Sequence, residues 1–292
     1  MGKELLTRKN IAIGAVALLI VFASFLPQLI NRHRLTIDVF DIGQGDSTLI
    51  TTPTGEHILV DGGPDASVVA KLSQRLGFFD RTIDLVIATH PQADHITGLL
   101  SVLDRFTVKR VMLTTIKNET PEYRVLREKI TEKHVARTDI ADAPHVDFGD
   151  SRGVSLDVLW PERSYSGRLV DDPNIVSAVF RLTYGEASFL FTGDAGSEIE
   201  QQLLEGGADL HADVLKVGHH GSDTSTTQAF LDAVLPSVAV ISVGRKNTFG
   251  HPSRRVLRRL ERAGSAIYRT DSNGDVHITS DGKEIRVTPQ LR

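Results

Sequence analysis

The sequence predicts an α/β fold preceded by one transmembrane helix, on three observations. Short β-branched and apolar runs alternate with runs whose apolar residues recur at helical spacing, in both halves of the chain. Clusters of His and Asp beside Gly stand at the ends of the strand runs. Residues 11–30 form an uncharged, mostly apolar stretch.

That stretch reads IAIGAVALLIVFASFLPQLI. As a helix it would span about 30 Å, the thickness of a bilayer core. A buried core helix would carry a polar stripe, which is absent here. A cleaved signal peptide is the nearer rival, but the run is long for one and no clean A-x-A site follows. An uncleaved signal anchor is therefore expected. Basic residues flank both ends (Lys3, Arg8 and Lys9; Arg32 and Arg34), so charge barely decides orientation. The very short N-terminal tail gives a single-pass protein of the cell membrane with its main domain extracytoplasmic. Residues 1–34 are the anchor, and residues 35–292 read as one domain, with no low-complexity linker dividing them.

Within that domain, Leu35–Asp41, Ser47–Thr52 and His57–Val60 read as strands, the first two separated by Gly43-Gln44-Gly45-Asp46. Ala66–Leu76 has helical spacing, and Ile83–Ala88 is a buried strand leading into Thr89-His90-Pro91-Gln92-Ala93-Asp94-His95. A helix near Ile96–Phe106, a strand near Val108–Thr114 and a helix near Glu122–Lys133 follow. Arg137–Gly153 is turn-rich and reads as a loop. Strands resume at Val154–Leu159, Val176–Thr183 and Ser188–Thr192, the last broken by Gly193-Asp194-Ala195-Gly196 before a helix to about Leu204. Strand Asp213–Val217 ends at Gly218-His219-His220-Gly221-Ser222. Helix Thr227–Val234, strand Val238–Val243, helix Pro252–Ala263, strand Ala266–Arg269 and strands over 275–288 complete the order.

Composition narrows the chemistry. There is no cysteine, which excludes disulfides, Cys-ligated zinc, iron–sulfur clusters and thiol nucleophiles. Residues 1–34 carry five basic residues against Glu4, leaving 28 basic and 36 acidic residues in the main domain. An acidic domain contacts nucleic acid only through a local basic patch.

The strand-end residues Asp61, His90, Gln92, Asp94, His95, Asp194, His219 and His220 mix imidazole with carboxylate. Such a set suits zinc, manganese or iron. A lone His would read as a surface residue, but several acid–imidazole clusters recur at successive strand ends. Asp94 and His95 are adjacent, so both reach one ion only from a loop or a helix start.

The order DGG, TH-x-x-x-DH, TGD, GHHGS resembles the metallo-β-lactamase superfamily, and more closely its ComEC-type competence (DNA-uptake) branch. The branch resemblance rests on residues 41–47, 59–63, 89–95, 174–177, 191–194 and 212–222, with 242–244, 250–252 and 268–271. It covers roughly residues 35–285. It implies a four-layer αββα sandwich with a metal site at one edge between two sheets. His90 would serve a first metal position, and Asp94 and His95 a second, with Asp194 bridging. One of His219 and His220 would be the last ligand. The strand-end position favours His219, leaving His220 as a supporting residue or proton donor. Asp61 would order the ligand loop.

Two departures matter. The general superfamily motif is H-x-H-x-D-H, and Gln92 replaces its second His. The His before TGD is also absent, with Asn174 and Ser177 in that region. Amide oxygen is a weaker zinc donor than imidazole. One firm ion, zinc or manganese, is expected at Asp94, His95, Asp194 and His219, with a second site at His90 and Gln92 that is weak, empty or manganese-tolerant.

A metal-bound hydroxide at such a site would attack a phosphodiester or an acyl carbon. Asp94 could orient it, and His220 or His251 could protonate the leaving group. The helix from Pro252 carries Arg254, Arg255, Arg258, Arg259 and Arg262, the densest basic patch of an acidic domain. A solvated helix face is the plainer reading. Beside a candidate active site, Arg254, Arg255, Arg258 and Arg259 could instead track phosphates, with Asn174 and Ser222 as further substrate contacts. The expected function is a membrane-anchored phosphodiesterase or nuclease acting on DNA, linked to competence, with DNA-uptake machinery as a candidate partner. The alternatives are hydrolysis of a small ester, lactam or cell-wall phosphodiester, or a non-catalytic DNA- or partner-binding module with a decayed metal site.

Overall fold

Strands β1 (Leu35–Val39), β2 (Thr48–Thr51) and β3 (His57–Val60) form an antiparallel meander in which Ile37 pairs with Ile50 and Ile50 with Ile58. The computed structural model that shows this describes residues 34–290, except 78, 118–119 and 150–152, together with residues 10 and 13. Beyond the small pair β4 (Thr82–Ile83) and β6 (Thr107–Val108), the chain extends the meander in parallel through β5 (Leu85–Ala88), β7 (Arg110–Leu113) and β8 (Ala136–Asp139).

A second sheet holds β9 (His145–Phe148), β10 (Val154–Trp160), β11 (Val179–Tyr184), β12 (Ala187–Phe191), β13 (Val214–Lys216), β14 (Val238–Ile241) and β15 (Ala266–Arg269). Its order is β15-β14-β13-β12-β11-β10-β9. The last two strands, β16 (Asp275–Ser280) and β17 (Ile285–Gln290), return to the first sheet, whose order is β17-β16-β1-β2-β3-β5-β7-β8.

Strand periodicity decides what packs where. Along β3, Ile58 and Val60 face the second sheet while Leu59 faces outward. Between the sheets, Ile37, Val39, Ile58 and Ile87 meet Phe180, Phe189, Phe191 and Val240, and the Phe180 and Phe191 rings stack at 4.8 Å. Outside the first sheet, α1 (Ser67–Arg75), α2 (Ala93–Arg105) and α3 (Pro121–Glu132) lay Leu72, Leu99, Val102, Leu126 and Ile130 on Leu59, Val86 and Val111. Outside the second, α4 (Ser197–Glu205), α5 (Gln228–Val234) and α6 (Arg254–Arg262) lay Ile199, Leu203, Phe230, Leu231, Val256 and Leu260 on Leu190, Leu215 and Ala239. Three apolar interfaces thus stack helices, sheet, sheet and helices. The inner strands are apolar on both faces because both faces are covered. Each of these large side chains stabilises the fold by about 1.5–3 kcal/mol on burial.

The expected loop at Arg137–Gly153 is a misreading. Most of it is β8, a short 3-10 turn at Ile140–Asp142, and β9. Both strands are sheet edges. Their solvent-facing residues, such as Arg137 and His145, dilute the apolar pattern that marks an interior strand. Helix α2 begins at Ala93, three residues ahead of expectation, which places Asp94 and His95 in its first turn. The expected membrane span at 11–30 lies outside the described residues. Among the described residues, no helix is long and apolar enough to cross a membrane.

Candidate metal centre

Four strand ends and one helix start converge at the edge between the sheets. At the end of β3, Asp61 sits in the left-handed region at φ 58°, a conformation an Asp tolerates better than most residues. Its carboxylate accepts from Thr89 N and Thr89 Oγ1, both at 2.8 Å, and lies 2.8 Å from His95 Nδ1. The backbone joins the same loops. Gly62 N and Gly63 N donate to His95 O at 2.6 and 3.1 Å, and Gly98 N donates to Gly63 O at 3.0 Å. Gly98 can only be Gly here, because a Cβ would fall 1.9 Å from Gly62 O.

From this scaffold the first turn of α2 projects His95 and Asp94. His95 Nε2 lies 3.4 Å from Asp194 Oδ1 and 3.9 Å from Asp94 Oδ2. Asp194 follows β12, and its N–H donates to Ser177 Oγ at 2.8 Å. After β13 the turn carrying His219 and His220 holds both residues at positive φ, 49° and 53°. Such backbone costs on the order of 1–3 kcal/mol per residue and recurs at functional sites.

The two histidines are placed the reverse of the sequence expectation. His220 is buried and its Nε2 lies 3.3 Å from Asp94 Oδ2 and 3.5 Å from Asp194 Oδ2, while its Nδ1 faces Ser242 O at 3.1 Å. His219 stands at the rim, its side chain 27% exposed and its Nε2 4.0 Å from Asp194 Oδ2. The left-handed turn at both residues swings the second imidazole inward, which strand-end position alone does not reveal.

At the first metal position, His90 faces Gln92. His90 is buried, with Nδ1 3.0 Å from Thr89 Oγ1 and Nε2 3.2 Å from Gln92 Oε1, and Nε2 is 3.9 Å from Asp194 Oδ2. Gln92 therefore occupies the ring nitrogen that would face an ion.

The electrostatics follow from this packing. Burial lowers the His90 imidazole, with the neighbouring His95 charge, to about 4. Burial would also lower His220, but Asp194 and then Asp46 and Asp94 outweigh it and raise it to about 10. His95 is raised well above its ordinary value because Asp194 and Asp61 overcome burial. Burial opposes ionisation of Asp194, but His220 and His95 hold its carboxyl well below the usual range. Burial and then the His219 charge lower His251.

The residues fit a divalent cation. His95 Nε2 and Asp194 Oδ1 are both buried with no hydrogen-bond partner, although they lie 3.4 Å apart. Buried polar atoms without a hydrogen bond cost free energy, and an ion between the two would supply both with a ligand bond. Ligand atoms of Asp94, His95 and His220 lie within 4.8 Å of one another, as do those of His90, His95 and Asp194. Asp94, His95, Asp194 and His220 would hold one ion with imidazole and carboxylate donors suited to zinc or manganese.

The other expected site residues make their own contacts. Ser222 Oγ pairs with Thr224 Oγ1 at 2.9 Å; Asn174 N donates to Asp172 Oδ1, while Asn174 Oδ1 is buried without a hydrogen-bond partner. Arg259 is spent internally, donating to Ser225 O and Thr226 O at 3.3 and 2.9 Å. Arg254, Arg255 and Arg258 face solvent. His251 joins the rim, its ring 6.0 Å from that of His219.

One pair escaped the sequence reading. Lys216, at the end of β13, donates to Asp46 Oδ2 at 2.7 Å, and Asp46 Oδ1 lies 3.4 Å from His220 Nδ1. Both are buried. A Lys inside the apolar run Val214–Val217 was the available signal, since a buried ammonium needs a partner.

Comparison with known proteins agrees with this geometry. The family model of the metallo-beta-lactamase superfamily matches residues 40–245. ComE operon protein 3 of Bacillus subtilis is 29% identical over 90% of this chain and 35% of its own length. Competence protein ComA of Neisseria gonorrhoeae is 31% identical over 89% of this chain and 34% of its length. Recombination protein 2 of Haemophilus influenzae is 30% identical over 89% of this chain and 31% of its length. The chain spans about a third of these relatives.

Proposed function

The chain belongs to the metallo-beta-lactamase superfamily, and on that premise we propose that it is a membrane-anchored phosphodiesterase acting on nucleic acid, with one zinc or manganese ion. The observation that carries the metal-dependent reading is the buried ion pair His95 Nε2 and Asp194 Oδ1, 3.4 Å apart, in which neither atom has a hydrogen bond. When bound, the ion supplies Lewis acidity and lowers the pKa of coordinated water to about 7.

The chain's own groups do the rest. Asp61 fixes the His95 ring through Nδ1, leaving Nε2 for the ion. Ser242 O and Asp46 do the same for His220. His219 stands at the rim, 4.0 Å from Asp194 Oδ2, where it could hand a proton to a leaving alkoxide. His251, kept neutral by burial and its neighbour, could orient it.

Arg254, Arg255 and Arg258 favour a phosphodiester over a neutral ester. Arg254 and Arg255 occupy the first turn of α6, which contains no acidic residue. Ser253 N donates to Gly221 O at 2.8 Å, tying that helix start to the histidine turn. Cations crowded at the positive end of a helix gain nothing from the fold and suit a polyanion. The competence-protein relatives support DNA as that polyanion and a DNA-uptake assembly as the setting. The uncharged run at 11–30 supports a single-pass anchor, with residues 35–292 as an extracytoplasmic hydrolase domain.

A second reading is a non-catalytic DNA- or partner-binding module, and Gln92 on His90 Nε2 favours it. One experiment separates them. The protein is stripped, reloaded with zinc or manganese, its ions counted, and single-stranded DNA and bis-(p-nitrophenyl) phosphate assayed beside an Asp94→Ala, Asp194→Ala double variant. Metal-dependent cleavage absent from the variant is expected. Absence of both metal and cleavage would leave the binding module.

A further inference from the structure

The segment 244–253 lies between β14 and α6, and its His251 ring meets that of His219 at the rim of the metal centre. Asn247 braces it. Asn247 Nδ2 donates to Gly244 O at 2.8 Å and His251 O at 2.9 Å, and its Oδ1 accepts from His251 N at 3.0 Å. Gly244 N donates to Gln44 Oε1 at 3.1 Å, securing the other end.

None of this bracing uses the side chain of Phe249. Its ring is 68% exposed and stacks on the His251 ring, with centroids 5.9 Å apart and planes 13° apart. The His251 ring is 6.0 Å from the His219 ring, and His219 reaches Asp194. A row of rings, the outer two stacked and the inner two tilted at 59°, therefore leads from solvent to the carboxylates of the metal centre. A braced loop that holds a Phe in water forgoes the free energy of burying its ring. Exposed cations flank the row, with Arg245 and Lys246 on the same segment and Arg254 and Arg255 at the start of α6.

We propose that Phe249 and His251 form a stacking platform for an unpaired nucleobase, which seats the adjoining phosphodiester at the metal centre. This deepens the phosphodiesterase reading and rests on it for the reaction, though not for the binding. Aromatic faces beside cations are how single strands are held without sequence preference. A base inside a duplex has its faces covered by neighbours, so the platform selects single strands and frayed ends.

Binding and cleavage are measured separately on the full chain. With the metal removed by chelator, fluorescence anisotropy compares a labelled oligothymidylate with one of equal length carrying abasic sites. Wild type is expected to bind the base-bearing strand more tightly. Phe249→Ala is expected to erase about 5- to 150-fold of that preference, and Phe249→Trp to restore it. Equal affinity of wild type for both strands, or an equal loss on both in Phe249→Ala, would overturn the platform. Cleavage is then assayed with metal restored. If the platform behaves as expected and no strand is cut, the phosphodiesterase reading fails and the platform stands.

Discussion

The Asp61 carboxylate holds His95 Nδ1 at 2.8 Å while accepting two hydrogen bonds from Thr89. One side chain thereby sets both the tautomer of a metal-facing imidazole and the position of the loop leading to His90. Asp61→Asn keeps the size and tolerates φ 58°. It weakens the anionic acceptor that makes His95 a better donor. Metal affinity, measured by competition with a chromophoric chelator, is expected to fall about 10- to 100-fold. Unchanged affinity would show that Asp61 acts on the fold alone.

Metal binding should release protons. In the metal-free protein His220 is raised to about 10 and His95 is raised well above its ordinary value, so both are protonated at neutral pH. Each must lose its proton to ligate. His90, lowered to about 4, is already neutral and contributes none. Both raised groups bind the proton in competition with the ion, so apparent affinity climbs as pH rises toward those values. Calorimetry in buffers of different ionisation heat is expected to report close to two protons per ion at pH 7.5. A value near zero would remove one or both rings from the ligand set.

Gln92 should limit the site to one ion. Its Oε1 faces His90 Nε2 at 3.2 Å, where a second imidazole would complete another position. Elemental analysis is expected to find about one ion per chain in wild type and close to two in Gln92→His. Two ions in wild type would mean that the His90–Gln92 contact yields readily.

The buried pair Asp46 and Lys216 supports the site from below. Asp46→Asn leaves the ammonium of Lys216 buried without its counter-charge. Breaking such a pair costs about 3–5 kcal/mol, whereas replacing both partners is far milder. Denaturant unfolding is expected to show Asp46→Asn and Lys216→Met each strongly destabilised, and the double variant recovering much of the loss. Additive losses would show that the two residues act independently.

What the sequence made legible was local. Asp61-Gly62-Gly63 and His90 through His95 pack their chemistry into a few residues at strand ends, where a short motif determines geometry. The contacts that went unread join distant segments, as Asp46 does with Lys216 and Gly244 with Gln44. The choice between His219 and His220 turned on two left-handed backbone conformations that composition does not encode. Edge strands β8 and β9 were lost for a different reason, since half their surface faces water and their apolar signal is correspondingly thin.

The arginines of α6 divide by role, and salt dependence separates them. Arg254, Arg255 and Arg258 face solvent and are free to neutralise phosphates. Arg259 instead donates to the carbonyls of Ser225 and Thr226, beside Glu200, whose carboxylate accepts from Thr226 N and Thr227 N. Each phosphate contact removed lowers the slope of log affinity against log salt by about 0.7 for a single strand. Arg254→Ala, Arg255→Ala and Arg258→Ala together are therefore expected to reduce that slope by about 2 while leaving the melting temperature near wild type. Arg259→Ala is expected to do the opposite, leaving the slope and lowering the melting temperature, because two carbonyls lose their donor. An unchanged slope in the triple variant would take α6 out of the nucleic-acid surface.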